Sequence, residues 1–274
     1  MNELLLLKIG AIFLIFGAGI LGGLLPWRVA GSRKSELYLG WGNAFAGGVL
    51  LAAGLIHLLG DAAGGFADLW PDVDYPWAFT IAAIAFLLIL GIERVLPRTS
   101  RMPVGAAQLS ADPEADSLVQ AVEDTNKYPY LLLLTLSIHS VIAGMALGAQ
   151  SSVAGFMIIV IAILAHKSAA GFALGVSLHR IGTDLSRARK LILGFAVMTP
   201  IGIILGTVIS ALLASRGEQI FEASFDAIAA GTFLYIASLD IIREEFLPPR
   251  NDRRVKWLWA AFGLTLMAIV AIWT

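Results

Sequence analysis

The chain has 274 residues, of which 58% are hydrophobic and 14% charged, and it contains no cysteine. Globular domains carry about a quarter charged residues, so this composition excludes an ordinary soluble domain. The absence of cysteine excludes disulfides, thiolate metal ligands and cysteine nucleophiles. The net charge of −1 gives no indication of a nucleic-acid partner.

The apolar residues fall into continuous runs, and about 20 such residues in a helix cross the hydrocarbon core of a bilayer. Continuous runs predict helices, because the strands of a membrane barrel alternate apolar and polar residues. Eight runs are present, at 4–25, 38–60, 77–96, 128–150, 153–178, 189–214, 219–243 and 256–273. We therefore predict an all-α polytopic membrane protein with eight transmembrane helices, forming a single domain over 1–274.

The basic residues indicate how the helices are oriented. With the N-terminus outside, the lysines and arginines other than Lys8, Lys167 and Arg216 fall in or beside inner connections. Because cytoplasmic connections carry the excess of basic residues, this bias predicts both termini outside the cytoplasm, in the plasma (cell inner) membrane. The outer connection at 61–77 has four aspartates and no basic residue. It is either an acidic mouth that concentrates cations or an ordinary solvated loop.

One segment, at about 97–127, lacks the membrane pattern and is rich in proline, serine, alanine and acidic residues. It predicts a flexible cytoplasmic connection between the third and fourth helices, with a short helix near 116–124. It does not indicate a second folded domain.

Two ten-residue segments are nearly repeated, "HSVIAGMALG" at 139–148 and "HKSAAGFALG" at 166–175. They lie on neighbouring antiparallel helices, which places His139 and His166 at depths of roughly 17 and 20 Å from the outer end. The glycines of the repeat are explained by close helix packing. Polar groups near the midplane are expensive and usually functional, and neutral imidazole binds divalent transition metals. The two histidines are therefore predicted to share a metal.

The longer segments "HSVIAGMALGAQ" and "HKSAAGFALGVSL" resemble the fourth and fifth helices of the ZIP (Zrt/Irt-like) divalent metal transporters. The segments at 43–62, 198–206 and 230–246 resemble the second, sixth and seventh helices of that family. The resemblance implies a ZIP-like helix bundle that moves a divalent metal ion, zinc first among the candidates, toward the cytoplasm. It implies that the metal is the transported substrate, with no bound cofactor.

The resemblance also assigns residues. By position, His139 and His166 match the imidazole ligands of the family's central site, and Asp240 matches a glutamate of the seventh helix. The sequence departs from the family at Ala143, where a carboxylate is usual. Lys167 stands where binuclear members hold a second metal, and it is interpreted as a replacement for that metal, so the centre is expected to hold one metal at most.

Zinc takes about four ligands, and two imidazoles supply only half of them. Candidates for the remainder are water and the polar side chains of His57, Ser140, Ser168, Thr199 and Asp240. We interpret His57 and Asp61 as the outer part of a metal pathway, and Asp240 with Glu244 as its inner part. For His57, Asp61 and Glu244, a simple polar helix end is an equally good interpretation.

Two further functional classes are left open by the sequence. One is a degenerate family member that binds metal as a sensor or partner protein, because position 143 lacks the usual carboxylate. The other is an intramembrane metalloenzyme, which is disfavoured because the chain has no His-Glu-x-x-His motif. We therefore predict no enzyme and no catalytic residue. Divalent metal ions and the lipid bilayer are the expected partners, and a homodimer is left open.

Overall fold

The computed structural model describes residues 3–30, 34–94, 113–210, 215–247 and 252–272, and all regular structure within these ranges is helical. We label the helices in chain order. They are α1 (Glu3–Val29), α2 (Ser35–Ala52, a π-helical segment Ala53–Leu58, and Leu59–Leu69), α3 (Trp77–Arg94), α4 (Pro113–Ala149), α5 (Val153–Arg180), α6 (Leu185–Ser210), α7 (Ser215–Tyr235, a π-helical segment Ile236–Ile242, and Arg243–Phe246) and α8 (Arg253–Val270).

Six segments of the described chain are long and apolar enough to cross a membrane, so the prediction of an all-helical membrane protein is confirmed. They are Glu3–Val29, Ser35–Leu69, Leu132–Ala149, Val153–Arg180, Leu185–Ser210 and Gln219–Phe246. The predicted number of eight is not confirmed. The apolar part of α3 is shorter, at Trp77–Ile92, and α8 begins with basic residues that reduce its apolar length.

The fourth helix begins earlier than the sequence predicted. The structure extends α4 back to Pro113, so the second half of the segment predicted as a flexible connection is helical. Residues 95–112, which hold the first half of that connection, lie outside the described residues. A proline in the first turn followed by acidic residues favours a helix start. Because residues 113–127 are mostly polar, apolar runs alone do not predict this part of the helix.

The helices pack as two groups. We call α1, α4, α5 and α6 bundle A, because α4 packs chiefly on α6 and α1 packs on both α5 and α6. We call α2, α3, α7 and α8 bundle B, in which α2 packs on α8 and on α7, and α3 packs on α7. The main contact between the bundles is that of α2 with α5. The histidine pair of the sequence analysis belongs to bundle A.

Glycine allows the helices of bundle A to approach each other closely. A Cβ atom added at Gly144 or Gly148 of α4 would overlap the backbone of α6, and one added at Gly202 or Gly206 of α6 would overlap that of α4. The repeated glycines of α5 meet α1 in the same way. The interpretation of these glycines as packing residues is therefore confirmed.

Residues in the short connections at the two ends of the molecule stabilise the turns and cap the helices that follow. Between α4 and α5, the hydroxyl of Ser152 accepts a hydrogen bond from the Gly155 amide at 3.1 Å and caps α5. After α5, Gly182 turns the chain with a positive φ of 73°, and Asp184 then caps α6. We call the end with connections 70–76 and 150–152 the acidic end, and the end with 181–184 and 247–252 the basic end.

The close contact of α4 with α6 gives a stability prediction. Because a methyl group at position 206 would overlap the Met145 backbone, we expect Gly206→Ala to lower the free energy of unfolding by about 1–3 kcal/mol. Gly194→Ala in the same helix is the control, since nothing lies within 4 Å of an added Cβ there. The stabilities of the two purified variants are compared by thermal unfolding in detergent. Equal stability of the two variants would contradict the close approach.

Candidate metal centre

The structure brings the two predicted histidines together. The Nε2 atoms of His139 on α4 and His166 on α5 are 3.5 Å apart, and both side chains are buried. Two imidazole nitrogens bound tetrahedrally to one zinc at about 2.0–2.1 Å lie about 3.3–3.4 Å from each other. The pair is therefore spaced to share one metal ion with little rearrangement. Within the described residues, neither Nδ1 atom has a hydrogen-bond partner.

An aromatic ring from the other bundle packs against the pair. The Phe233 ring on α7 lies with its centroid 4.1 Å from that of His139 and 5.8 Å from that of His166. Phe233 is fully buried. The histidines therefore lie on the side of bundle A that faces bundle B.

A cavity of about 460 Å³ leads from the acidic end to His166, the one member of this pair that lines it. Its walls come from both bundles and include Gly155 and Gln219, near the first turns of α5 and α7, and His166 at the inner end. Its other polar lining residues are His57, Asp61, Asp68, Gln150, Glu222 and Asp226. Four carboxylates in one concave surface raise the local concentration of cations. Two of the four aspartates of 61–77, Asp61 and Asp68, thus belong to a larger acidic surface.

Sequence analysis missed the contribution of α7 to this cavity. Glu222 and Asp226 are four residues apart, and this spacing places both carboxylates on one face of a helix. The four-residue spacing indicates that the two carboxylates share a face of α7. The sequence alone does not show that this face lines the cavity.

His57 and Asp61 lie on the same wall of the cavity and contact each other. The Nδ1 atom of His57 is 2.9 Å from a carboxylate oxygen of Asp61. His57 belongs to the π-helical segment of α2, and such segments are frequent at functional sites. The structure thus joins two predicted pathway residues directly, in the same cavity that His166 lines.

Lys167 follows His166 but does not line the cavity. Its ammonium group donates to the Ser140 hydroxyl at 2.8 Å and to the Phe195 carbonyl at 3.3 Å, and it lies 3.7 Å from the centroid of the Phe195 ring. Ser140 in turn donates to the Leu136 carbonyl at 2.6 Å. Both candidate residues are therefore engaged with bundle A, and the lysine amine lies on the bundle A side of the pair.

The remaining candidates are dispersed. Thr199 is buried, and its hydroxyl has no hydrogen-bond partner in the described chain. Ser168 is exposed and donates to the Leu164 carbonyl at 3.5 Å. Asp240 is buried in the π-helical segment of α7 and does not line the cavity, while Glu244 lies 3.3 Å from Arg180 at the basic end. No group of three His, Asp or Glu side chains forms a ready metal cage within the described residues.

A buried imidazole pair, one member of which lines an acidic cavity inside a bundle of membrane-spanning helices, fits a membrane transporter for cations. The family model described as ZIP Zinc transporter matches residues 5–127 and 114–271. The chain belongs to the ZIP zinc transporter family and transports a divalent metal ion as its substrate. The resemblance found in the sequence is therefore confirmed.

Relatives from distant organisms match nearly the whole chain. Zinc transporter ZIP2 of Homo sapiens is 26% identical over 310 residues, which cover 100% of both chains. Zinc transporter 11 of Arabidopsis thaliana is 28% identical and covers 99% of this chain and 86% of its own length. Zinc transporter ZIP1 of Danio rerio is 29% identical, with 98% of each chain covered.

Ala143 provides a test of the site geometry. It lines the cavity together with His166 and is one helical turn from His139. We expect Ala143→Glu to lower the half-saturation concentration for zinc uptake, because a carboxylate compensates the metal charge. The maximal rate should fall if release becomes slow. The cost of burying the carboxylate without metal opposes this gain.

Ala143→Gln is the matched control, since it has the same size without the charge. Uptake by reconstituted protein is measured over a range of zinc concentrations for both variants. The same half-saturation concentration for glutamate and glutamine would show that position 143 does not influence the metal.

Proposed function

We propose that this chain carries Zn²⁺ from the acidic end to the basic end, with His139 and His166 as ligands at the midpoint. The observation that carries the proposal is the 3.5 Å spacing of their Nε2 atoms at the inner end of the acidic cavity. Zinc is favoured by imidazole ligands and four-coordinate geometry. Water and one of the nearby polar side chains complete the coordination.

The pathway has three stages in this proposal. The cavity carboxylates attract the hydrated ion. His57 and Asp61 then replace some of the water molecules bound to it. The ion then binds between the two central imidazoles. Asp240, Thr199 and Glu244 are the polar groups proposed to assist the ion on its way to the basic end.

We further propose that the basic end faces the cytoplasm, with both termini outside and the protein in the plasma membrane. The excess of basic residues at that end supports this orientation. All eight helices then cross the bilayer, including α3 and α8. The packing of α3 along α7 and of α8 along α2 supports the inclusion of those two helices.

The histidine pair is tested by substitution. We expect His139→Ala and His166→Ala each to remove most saturable uptake of radiolabelled zinc into proteoliposomes, because one imidazole cannot replace two. His179→Ala is the control and should retain uptake, since His179 packs against Trp27 with ring centroids 5.6 Å apart and does not line the cavity.

Normal uptake by the double variant would show that the two histidines only fill space. Zinc binding without uptake by the unmodified protein would instead favour a sensor or partner protein over a transporter.

The orientation is tested by thiol labelling, which is direct because the chain has no cysteine. Asp72 in the connection 70–76 and Ser186 at the start of α6 are both exposed. In whole cells, a membrane-impermeant maleimide should label Asp72→Cys and should label Ser186→Cys only after the membrane is permeabilised. The reverse pattern would reverse the proposed orientation and the direction of transport.

A further inference from the structure

A buried ionic cluster closes the basic end of the molecule. Glu245 on α7 is wholly buried, and its carboxylate accepts from three neighbours. The Lys256 ammonium lies 2.7 Å away, the Asn43 amide 3.0 Å and the Arg180 guanidinium 2.7 Å. The half-buried Glu244 adds a second contact to Arg180 at 3.3 Å. None of these groups lines the acidic cavity.

The members of this cluster are divided unequally between the two bundles. Glu245, Lys256 and Asn43 lie on α7, α8 and α2, all in bundle B. Arg180, the last residue of α5, is the only member from bundle A within the part of the chain that the structure describes. The bundles are therefore separated by a cavity at the acidic end and joined by an ion pair at the basic end.

The energetics of the cluster allow this ion pair to open. Removing the sole partner of a buried charge costs several kcal/mol, because that charge is left uncompensated. Glu245 keeps Lys256 and Asn43 when Arg180 leaves, so its burial remains compensated. Arg180 lies at the end of a helix and is held incompletely, since its Nε and Nη2 atoms have no partner in the described residues. It can exchange Glu245 for water at a moderate cost.

A relative movement of the bundles would take place at their main contact, that of α2 with α5. Where these helices meet, Gly42 of α2 lies directly against the Phe172 ring of α5. Bundle A is itself held together by backbone contacts at glycine, so it can move as a body.

We propose that the Arg180–Glu245 ion pair is a latch that keeps the basic end closed while the cavity is open at the acidic end. Each transport cycle breaks the latch to release the metal and forms it again afterwards. This inference rests on the proposed function, because it assumes that metal leaves at the basic end.

Reversible cross-linking tests the latch. Arg180→Cys and Glu244→Cys are introduced together, and a bifunctional methanethiosulfonate joins α5 to α7 through bonds that a reductant cleaves. We expect cross-linking to reduce radiolabelled zinc uptake to the level of protein-free liposomes. Reduction followed by removal of the reductant should return uptake to the level of the same variant before cross-linking. Zinc binding at the histidine pair should persist in the cross-linked protein, since the acidic end stays open.

A link within bundle B is the matched control. The Trp41 indole donates to an Asp252 carboxylate oxygen at 3.2 Å, and both residues lie near the basic end. Cross-linking Trp41→Cys to Asp252→Cys should leave uptake unchanged, because these residues do not move relative to each other. Full uptake with the Arg180–Glu244 link in place would overturn the latch. Failure of the proposed function is distinguishable, since the unmodified protein would then take up no zinc.

A second measurement decides the question if the doubly substituted protein is inactive. Ser177 is buried one turn before Arg180, so Ser177→Cys should react slowly with a thiol reagent added from the basic end. Adding Arg180→Ala should increase the rate of that reaction, and Arg180→Lys should return it toward the slow rate. The same rate in all three proteins would overturn the latch, and a global loss of structure would not be reversed by lysine.

Discussion

The arrangement of the metal centre depends on the backbone contact between α4 and α6 and on the matching contact between α1 and α5. In lipid, apolar side chains gain little by leaving the solvent for another helix, so close packing has to supply the association. Glycines at both contacts allow backbone atoms to meet, and four helices thereby form one body. His139 and His166 project from two helices of that body, so their spacing is fixed by contacts in which they take no part.

Buried charge is compensated differently at the centre and at the basic end. Glu245 has two cations and an amide within hydrogen-bond distance, and this network satisfies a fully buried carboxylate. Within the described residues, Lys167 has a hydroxyl, a carbonyl and an aromatic face as its partners. The centre thus combines an amine with two imidazoles, and the four carboxylates of the cavity belong to α2 and α7.

Much of the fold could be predicted from the sequence, because lipid permits few backbone arrangements. The apolar runs located α5 and α6 to within a few residues, and the repeated decamers identified His139 and His166 as neighbours. The start of α4 was missed because its first turns are polar. Contacts between the two bundles could not be predicted from the sequence. The pairing of Arg180 with Glu245 joins residues 65 positions apart, and no local pattern indicates which of several charged residues pair.

The local backbone around Asp240 was also not predictable from the sequence. Its resemblance to a family carboxylate made Asp240 both a candidate ligand and part of the inner pathway, and the structure buries it in the π-helical segment of α7, outside the lining of the acidic cavity. A π-helical segment shifts the angular position of each residue that follows it, so periodicity counted from Phe233 does not predict where Asp240 points.

The charge distribution at the centre bears on how a metal can leave it. A carrier has to bind its substrate firmly enough to select it and weakly enough to release it within one cycle. Position 143 holds alanine, and the Lys167 amine is bound to Ser140, so neither position supplies a carboxylate to the centre. In the proposed function, selection depends on the imidazole spacing, and capture depends on the carboxylates of the cavity. In the proposed cycle the cavity closes behind the ion before the basic end opens, and a centre without a carboxylate at position 143 then favours release.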